Sequence, residues 1–279
     1  MRKTLFLVPR KNAARVFTAV RLTPREALRG LKRISISEKD YEGIARRVLA
    51  AATEPIKARD LQDAAGLDSQ ELQTVLRALR YEGRLLALAG DSLMMSAHRY
   101  VATPARMPEA LNAGDPADAL AWLSGEYLRA YGPARVADFA WWAGVTKTKA
   151  EAALDPHRTV DVGGGLLLRA SDEAAFGRVK KLRGAVNLLP KWDAYTMGHA
   201  PDGRGRFVHP DVQKPVYTPI GTGLAGDGNP VVLVDGEIAG LWSYTIKEDG
   251  HIELFDKLGP TVRRKVDAEL DRLVSFLSG

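Results

Sequence analysis

Cysteine is absent from this chain of 279 residues. That excludes disulfides, thiol catalysis and cysteine-based zinc sites, and makes a reducing cytoplasm the default compartment, although a lack of cysteine also permits export. No stretch approaches the roughly 18 apolar residues that a membrane span needs. The opening MRKTLFLVPR is basic and then apolar, but Pro9 and Arg10 interrupt it and no small-residue cleavage site follows, so it reads as a strand over 4–8 rather than a signal peptide. There is no G-x-S-x-G and no evident Ser/His/Asp set. Gly221-Thr222-Gly223-Leu224-Ala225-Gly226 matches a dinucleotide fingerprint in letters only: Asn229-Pro230 and a strand follow it rather than a helix, so it reads as a flexible loop and implies no cofactor. His199, His209, Asp202 and Asp211 lie close together, but their spacing fits no metal motif and Arg204 and Arg206 stand among them, so no metal is expected.

What the chain does have is positive charge, unevenly spread. Net charge is +6, yet residues 1–110 hold 20 Lys/Arg against 12 Asp/Glu, and the remainder holds 20 against 22. The first 33 residues carry ten basic groups and one acid, Glu26. Such asymmetry suits either a polyanion partner or a solvated basic face.

It also has an internal repeat. PIKARDLQDAAGL at 55–67 and PARVADFAWWAGV at 133–145 align at an offset of 78, pairing Pro55 with Pro133, Asp60 with Asp138, Leu61 with Phe139, Ala65 with Ala143 and Gly66 with Gly144. Asp68 and Thr146 follow as helix caps. Each copy reads as a short helix, a glycine turn and a second capped helix, the helix-turn-helix pattern.

Apolar periodicity extends each copy. The first takes helices over 40–52, 57–65 and 69–81, then a hairpin in which RLLALAG pairs with SLMMSAHRYVA. Helices at 13–20 and 24–31 precede it. The second takes helices over 116–131, 135–143 and 147–154, then a hairpin over 157–170 around Gly163-Gly164-Gly165. Three helices and a hairpin make a winged helix. Residues 187–244 turn to strands, with Asp235-Gly236 joining VVLVDG to EIAGLWSYTI in a hairpin, and a helix over 260–277 closes the chain on a stripe of Val262, Val266, Leu270, Leu273 and Phe276. The expected class is α+β: tandem winged-helix units (37–104 and 115–172) behind a basic segment (1–36), followed by a β-rich domain with a terminal helix (185–279).

Third helices are the ones that enter a major groove. In the first unit Gln70, Gln73, Arg77 and Arg80 face outward, with Arg84 just beyond, and in the second Lys147 and Lys149 stand in the first turn. Either both units touch DNA or one serves for packing. FGRVKKLRG, with Lys180 and Lys181, suits a phosphate backbone, as does a loop bearing Arg204 and Arg206. Trp141-Trp142 offers a stacking ring, with one of the two expected in the core. Asp193, inside the apolar-aromatic LLPKWDAY, either caps a turn or helix or serves at a DNA-facing site. The expected partner is double-stranded DNA, intact or damaged, which would place the protein at the nucleoid.

MRKTLFLVP at 1–9, YLRAYGPARVADFAWWAGV at 127–145, NLLPKWDAYTMGH at 187–199 and PVVLVDGEIAGLWSY at 230–244 resemble the AlkZ-like winged-helix DNA glycosylases, over essentially the whole chain. The resemblance implies tandem winged helices and a β-rich C-terminal domain forming a clamp on duplex DNA. It also implies excision of alkylated bases or unhooking of crosslinks without metal or cofactor. The family's catalytic motif is Gln, an apolar residue, then Asp, within an additional N-terminal winged helix, and this sequence contains no Gln-x-Asp. No catalytic residue is therefore carried over. Three readings stay open: a duplex-binding relative without the dyad, a glycosylase using another acid or a segment upstream of Met1, and a protein-interaction module built on degenerate winged helices.

Overall fold

The computed structural model describes residues 8–34, 36–88, 98–107, 111, 114–220, 223–245 and 249–278. The strand expected over 4–8 lies outside them except for Val8, as does the middle of the first hairpin. The chain divides between Leu123 and Ser124 into two compact units.

The first unit opens with α1 (Arg10–Val20) and α2 (Pro24–Ala27), the latter running into a 3-10 segment, Leu28–Ile34. The repeat-bearing helices follow: α3 (Glu38–Ala51), α4 (Ala58–Ala65) and α5 (Ser69–Tyr81). Ser37 caps α3, its Oγ accepting from the Asp40 N–H. Asp68 and Glu71 close a reciprocal capping box on α5, which fixes the start of that helix. Gly66 ends α4 in the left-handed conformation, φ 65°, where glycine avoids the Cβ penalty, and Arg47 donates to the Ala65 carbonyl beside it. Strand β1 (Ile56–Lys57) pairs with β3 (Arg99–Ala102), which pairs with β2 (Leu85–Leu88), all antiparallel. Three helices and this sheet are the winged-helix plan. Its core joins Tyr41, Val48, Leu61, Leu72, Val75, Leu76 and Leu79, the residues that 3.6-residue spacing directs inward. A one-turn helix, α6 (Thr103–Arg106), follows.

The helix α7 (Pro116–Tyr131) crosses from one unit into the next. The second unit continues with α8 (Val136–Ala143), α9 (Lys147–Leu154) and the hairpin β4 (Thr159–Asp161) with β5 (Leu167–Arg169), turned on three glycines of positive φ. The counterpart of β1 survives as one bridge, Ala134 to Leu167, at the repeat position of Ile56 to Tyr100. After α10 (Glu173–Phe176) comes a four-stranded antiparallel sheet in the order β11-β10-β9-β6: β6 (Val186–Leu189), β9 (Val231–Val234), β10 (Glu237–Thr245) and β11 (Asp249–Leu254). Asp235 and Gly236 turn β9 into β10 with φ of 56° and 90°, the primed turn expected of Asp-Gly. Two short helices, α11 (Ala194–Met197) and α12 (Gln213–Val216), and the hairpin β7 (Tyr217–Ile220) with β8 (Gly223–Gly228) lie between β6 and β9.

Two expectations change here. The glycine-rich stretch expected to be a loop supplies β8, because Gly228 and Asp227 pair with Tyr217 and Thr218; Gly221 and Thr222 lie outside the described residues. In the terminal helix α13 (Pro260–Ser278), Val266 is buried but Phe276 is 69% exposed. At 100° per residue Leu277 falls about 20° from Val266 and Phe276 about 80° away on the other side, so Leu277 continues the packed stripe. Leu270 and Val274 come so close to β11 that a Cβ on Gly250 would meet them at 2.8 and 2.7 Å. Among the described residues no helix is long and apolar enough to cross a membrane.

Candidate nucleic-acid interface

On α5, burial of Leu72, Val75, Leu76, Ala78 and Leu79 leaves Gln70, Gln73 and Arg77 exposed along the opposite face. The amides of glutamine reach adenine edges bidentately and arginine reaches guanine or phosphate. Among the described residues Arg77 makes no ion pair, so its charge is available. Arg80 is half-buried and its Nε donates to the Leu76 carbonyl. Arg84 turns inward: its Nη1 reaches Glu42 at 3.0 Å and Glu82 at 3.4 Å. Burial acts to lower its pKa, but the hydrogen bond and charge of Glu42, with the charge of Glu82, raise it. Its charge is thereby largely engaged within the unit.

The second unit offers less. Lys147 and Lys149 are exposed at the start of α9, capped by Thr146, but Lys147 lies 3.7 Å from Glu151, and α9 has 8 residues against 13 in α5. Lys180 and Lys181 are exposed in the irregular stretch between α10 and β6, beside Val179 and Leu182, 73% and 56% exposed.

The 199–206 loop is where expectation and structure part. Arg204 does not reach solvent: it is 2% exposed, its guanidinium 3.8 Å from the ring of Tyr217 and 5.2 Å from that of Trp141. Rings that attract a cation also bury it, and burial lowers its pKa. Arg206 is bound to Asp138, a residue the sequence marks only as the repeat partner of Asp60. Asp138 is fully buried in α8. Its Oδ1 accepts from Arg135 Nη2 at 2.9 Å and from the Ala200 N–H at 3.0 Å. Its Oδ2 accepts from the Arg135 N–H at 3.0 Å, Arg135 Nε at 3.2 Å and Arg206 Nη2 at 3.1 Å. Burial alone would raise its pKa. The nearby His199 ring, Nδ1 at 3.9 Å, and the hydrogen bonds from Arg135 and Ala200 outweigh that and hold the carboxyl well below the usual carboxylate range. A carboxylate offers about four lone-pair sites. Five donors fill them, so Asp138 cannot serve as a base; it fastens α8 to the loop. Asp202 pairs with Arg135 at 2.8 Å, while His209 and Asp211 pair separately at 3.3 Å. The four residues weighed as metal ligands thus belong to two different clusters.

Trp142 joins the core, its ring 5.1 Å from that of Tyr127, and Trp141 is half-buried. Asp193 caps α11, accepting from the Tyr195 N–H at 2.7 Å.

A family model described as DNA glycosylase AlkZ-like matches residues 1–276. This chain belongs to the AlkZ-like DNA glycosylase family. Among solved structures it is similar to that titled Streptomyces sahachiroi DNA glycosylase AlkZ, with a TM-score of 0.68 and 18% identity, covering 96% of this chain and 76% of that one. No curated protein matches. The AlkZ-like membership accounts for the tandem winged-helix plan and the β-rich C-terminal part, and relates the chain to DNA repair. The residues sequence reasoning missed are Arg135 and Asp138, which look like ordinary first-turn residues of a helix until the loop bearing Ala200 and Arg206 meets them.

Proposed function

We propose that this chain binds duplex DNA, intact or damaged, chiefly through the exposed face of α5. The observation that carries the reading is the division of α5 into a buried apolar face and an exposed face of Gln70, Gln73 and Arg77. The basic excess of residues 1–110 supports it, as does likeness to a protein named a DNA glycosylase. Within the second unit, Lys147, Lys149, Lys180 and Lys181 are phosphate contacts of their own, which position without reading sequence. Arg80, Arg84 and Arg206 stand as supports rather than contacts. Asp138, fully buried and saturated with donors, is no candidate for excision chemistry. Cleaving a glycosidic bond calls for a carboxylate with room for a water or sugar beside it.

Fluorescence polarisation with a labelled duplex across a salt series tests the binding. If about six phosphates are neutralised, log K falls with log salt at a slope of roughly −5. Absence of salt-sensitive binding overturns the reading in favour of a protein-interaction module. Incubation with alkylated or crosslinked duplex asks whether the chain also excises a base, as its family membership allows: base release assigns it a glycosylase activity, and intact DNA leaves binding alone.

A further inference from the structure

The tripeptide Lys191-Trp192-Asp193 holds an arrangement that the fold does not require. The Asp193 N–H donates to the Pro190 carbonyl at 3.2 Å, closing a tight turn with Trp192 at its third position. There Trp192 has φ 61°. Turns of this kind place glycine or asparagine at that position, and a bulky residue held there costs about 1–3 kcal/mol. Packing does not offset the strain, because Trp192 is 59% exposed. The backbone is nonetheless firmly fixed. The Trp192 N–H donates to Gly228 O at 2.9 Å, Asp193 caps the next helix, and the Tyr195 hydroxyl donates to Gly236 O at 3.0 Å. A large flat ring is thus presented to solvent by a rigid, strained turn. Lys191 Nζ sits 4.7 Å from the ring centroid over one face.

We propose that the Trp192 indole is a stacking platform for a nucleobase lying outside the duplex stack: unpaired, extruded or opposite a gap. The inference rests on the DNA-binding reading above and deepens it. An apolar protein partner is the poorer fit, because such partners seek contiguous apolar patches. Here the exposed residues flanking Trp192 in sequence are Pro190, Lys191, Ala194 and Tyr195, with Asp193 half-buried. A base needs only one flat face, and the Lys191 ammonium, 3.8 Å from Asp227 Oδ2, covers the other.

The test uses the full chain with two labelled duplexes, one fully paired and one carrying a single extrahelical adenine. Wild-type protein is expected to prefer the second by about fivefold or more, the lower end of what stacking one base contributes. Trp192→Gly should abolish that preference, leave affinity for the paired duplex within about twofold, and melt no lower than wild type because it relieves the turn. Trp192→Phe should keep most of the preference. Equal loss on both duplexes, an unchanged preference in Trp192→Gly, or a clearly lower melting temperature overturns the platform. So does a concentration-dependent wild-type dimer that Trp192→Gly dissociates, which would assign the ring to self-association. If wild type binds the paired duplex without any preference, the platform falls and the DNA reading stands; if it binds neither, both fall.

Discussion

The two repeat copies share a backbone plan and differ in what that plan is used for. Leu61 and Phe139 are both fully buried, Ala65 and Ala143 both nearly so, and Gly66 and Gly144 both end their helices at positive φ, 65° and 75°. At four other paired positions the copies diverge. Lys57 and Asp60 are exposed, whereas Arg135 and Asp138 form an ion pair with Asp138 fully buried. Asp63 and Ala64 are exposed where the second copy has half-buried Trp141 and buried Trp142. Among the described residues the first copy leaves these positions exposed, and it carries a 13-residue third helix with an open polar face. The second has covered the outside of α8 with the 198–206 loop and kept a third helix of 8 residues. Duplicating a helix-turn-helix therefore does not duplicate a groove-reading surface, because positions that do not face the shared core are free to acquire a new neighbour.

The comparison breaks most sharply at the paired aspartates. Asp138→Ala strands Arg135, Arg206 and the Ala200 N–H around a missing charge and should lower stability by about 3–5 kcal/mol. Asp60→Ala, at an exposed first-turn position of α4, should cost no more than about 0.5 kcal/mol. Denaturant titration of both variants measures the contrast, and equal effects would dismiss the structural asymmetry.

The acid limb of stability sharpens the same point. The folded pKa of Asp138 lies below its unfolded value, so its contribution is fully present above the unfolded carboxylate pKa of about 4 and is lost as pH falls below it. Melting temperature should fall more steeply below about pH 4 in wild type than in Asp138→Asn, while Asp60→Asn should track wild type.

Where the copies agree, matched substitutions should agree too. Gly66→Ala and Gly144→Ala each place a Cβ at a left-handed position and should each cost about 1–2 kcal/mol. At Gly66 no heavy atom lies within 4 Å of that Cβ, so the cost there is conformational alone. The smallest effect concerns binding: Arg77→Ala should reduce the magnitude of the salt slope by about one and weaken duplex affinity, whereas Lys147→Ala, already paired with Glu151, should change it less.

Much of this was legible in the residues. The helices at 69–81, 116–131 and 147–154 begin and end where apolar periodicity, Asp68, Thr146 and the following turns place them. The Asp235-Gly236 hairpin and the capping role of Asp193 also follow from local chemistry. The 3-10 extension over 28–34, the strand at 223–228, the burial of Arg204 and the exposure of Phe276 were not legible. The last three depend on contacts outside the segment itself: Thr218 for Asp227, Tyr217 and Trp141 for Arg204, and β11 for the face of α13.

The sequence by itself determined the repeat, the helix starts and stops, the excess of positive charge toward the N-terminal side, the lack of a Gln-x-Asp pair and the family. All of these rest on local propensity, spacing or composition, which act over a few residues. Only the tertiary structure decided which copy keeps an open third helix, that Asp138 is a saturated anchor rather than a reactive acid, and that Trp192 stands exposed on a strained turn. A side chain's burial and the number of donors around it depend on contacts across 40–70 residues of chain. Spacing along the sequence does not encode those distances.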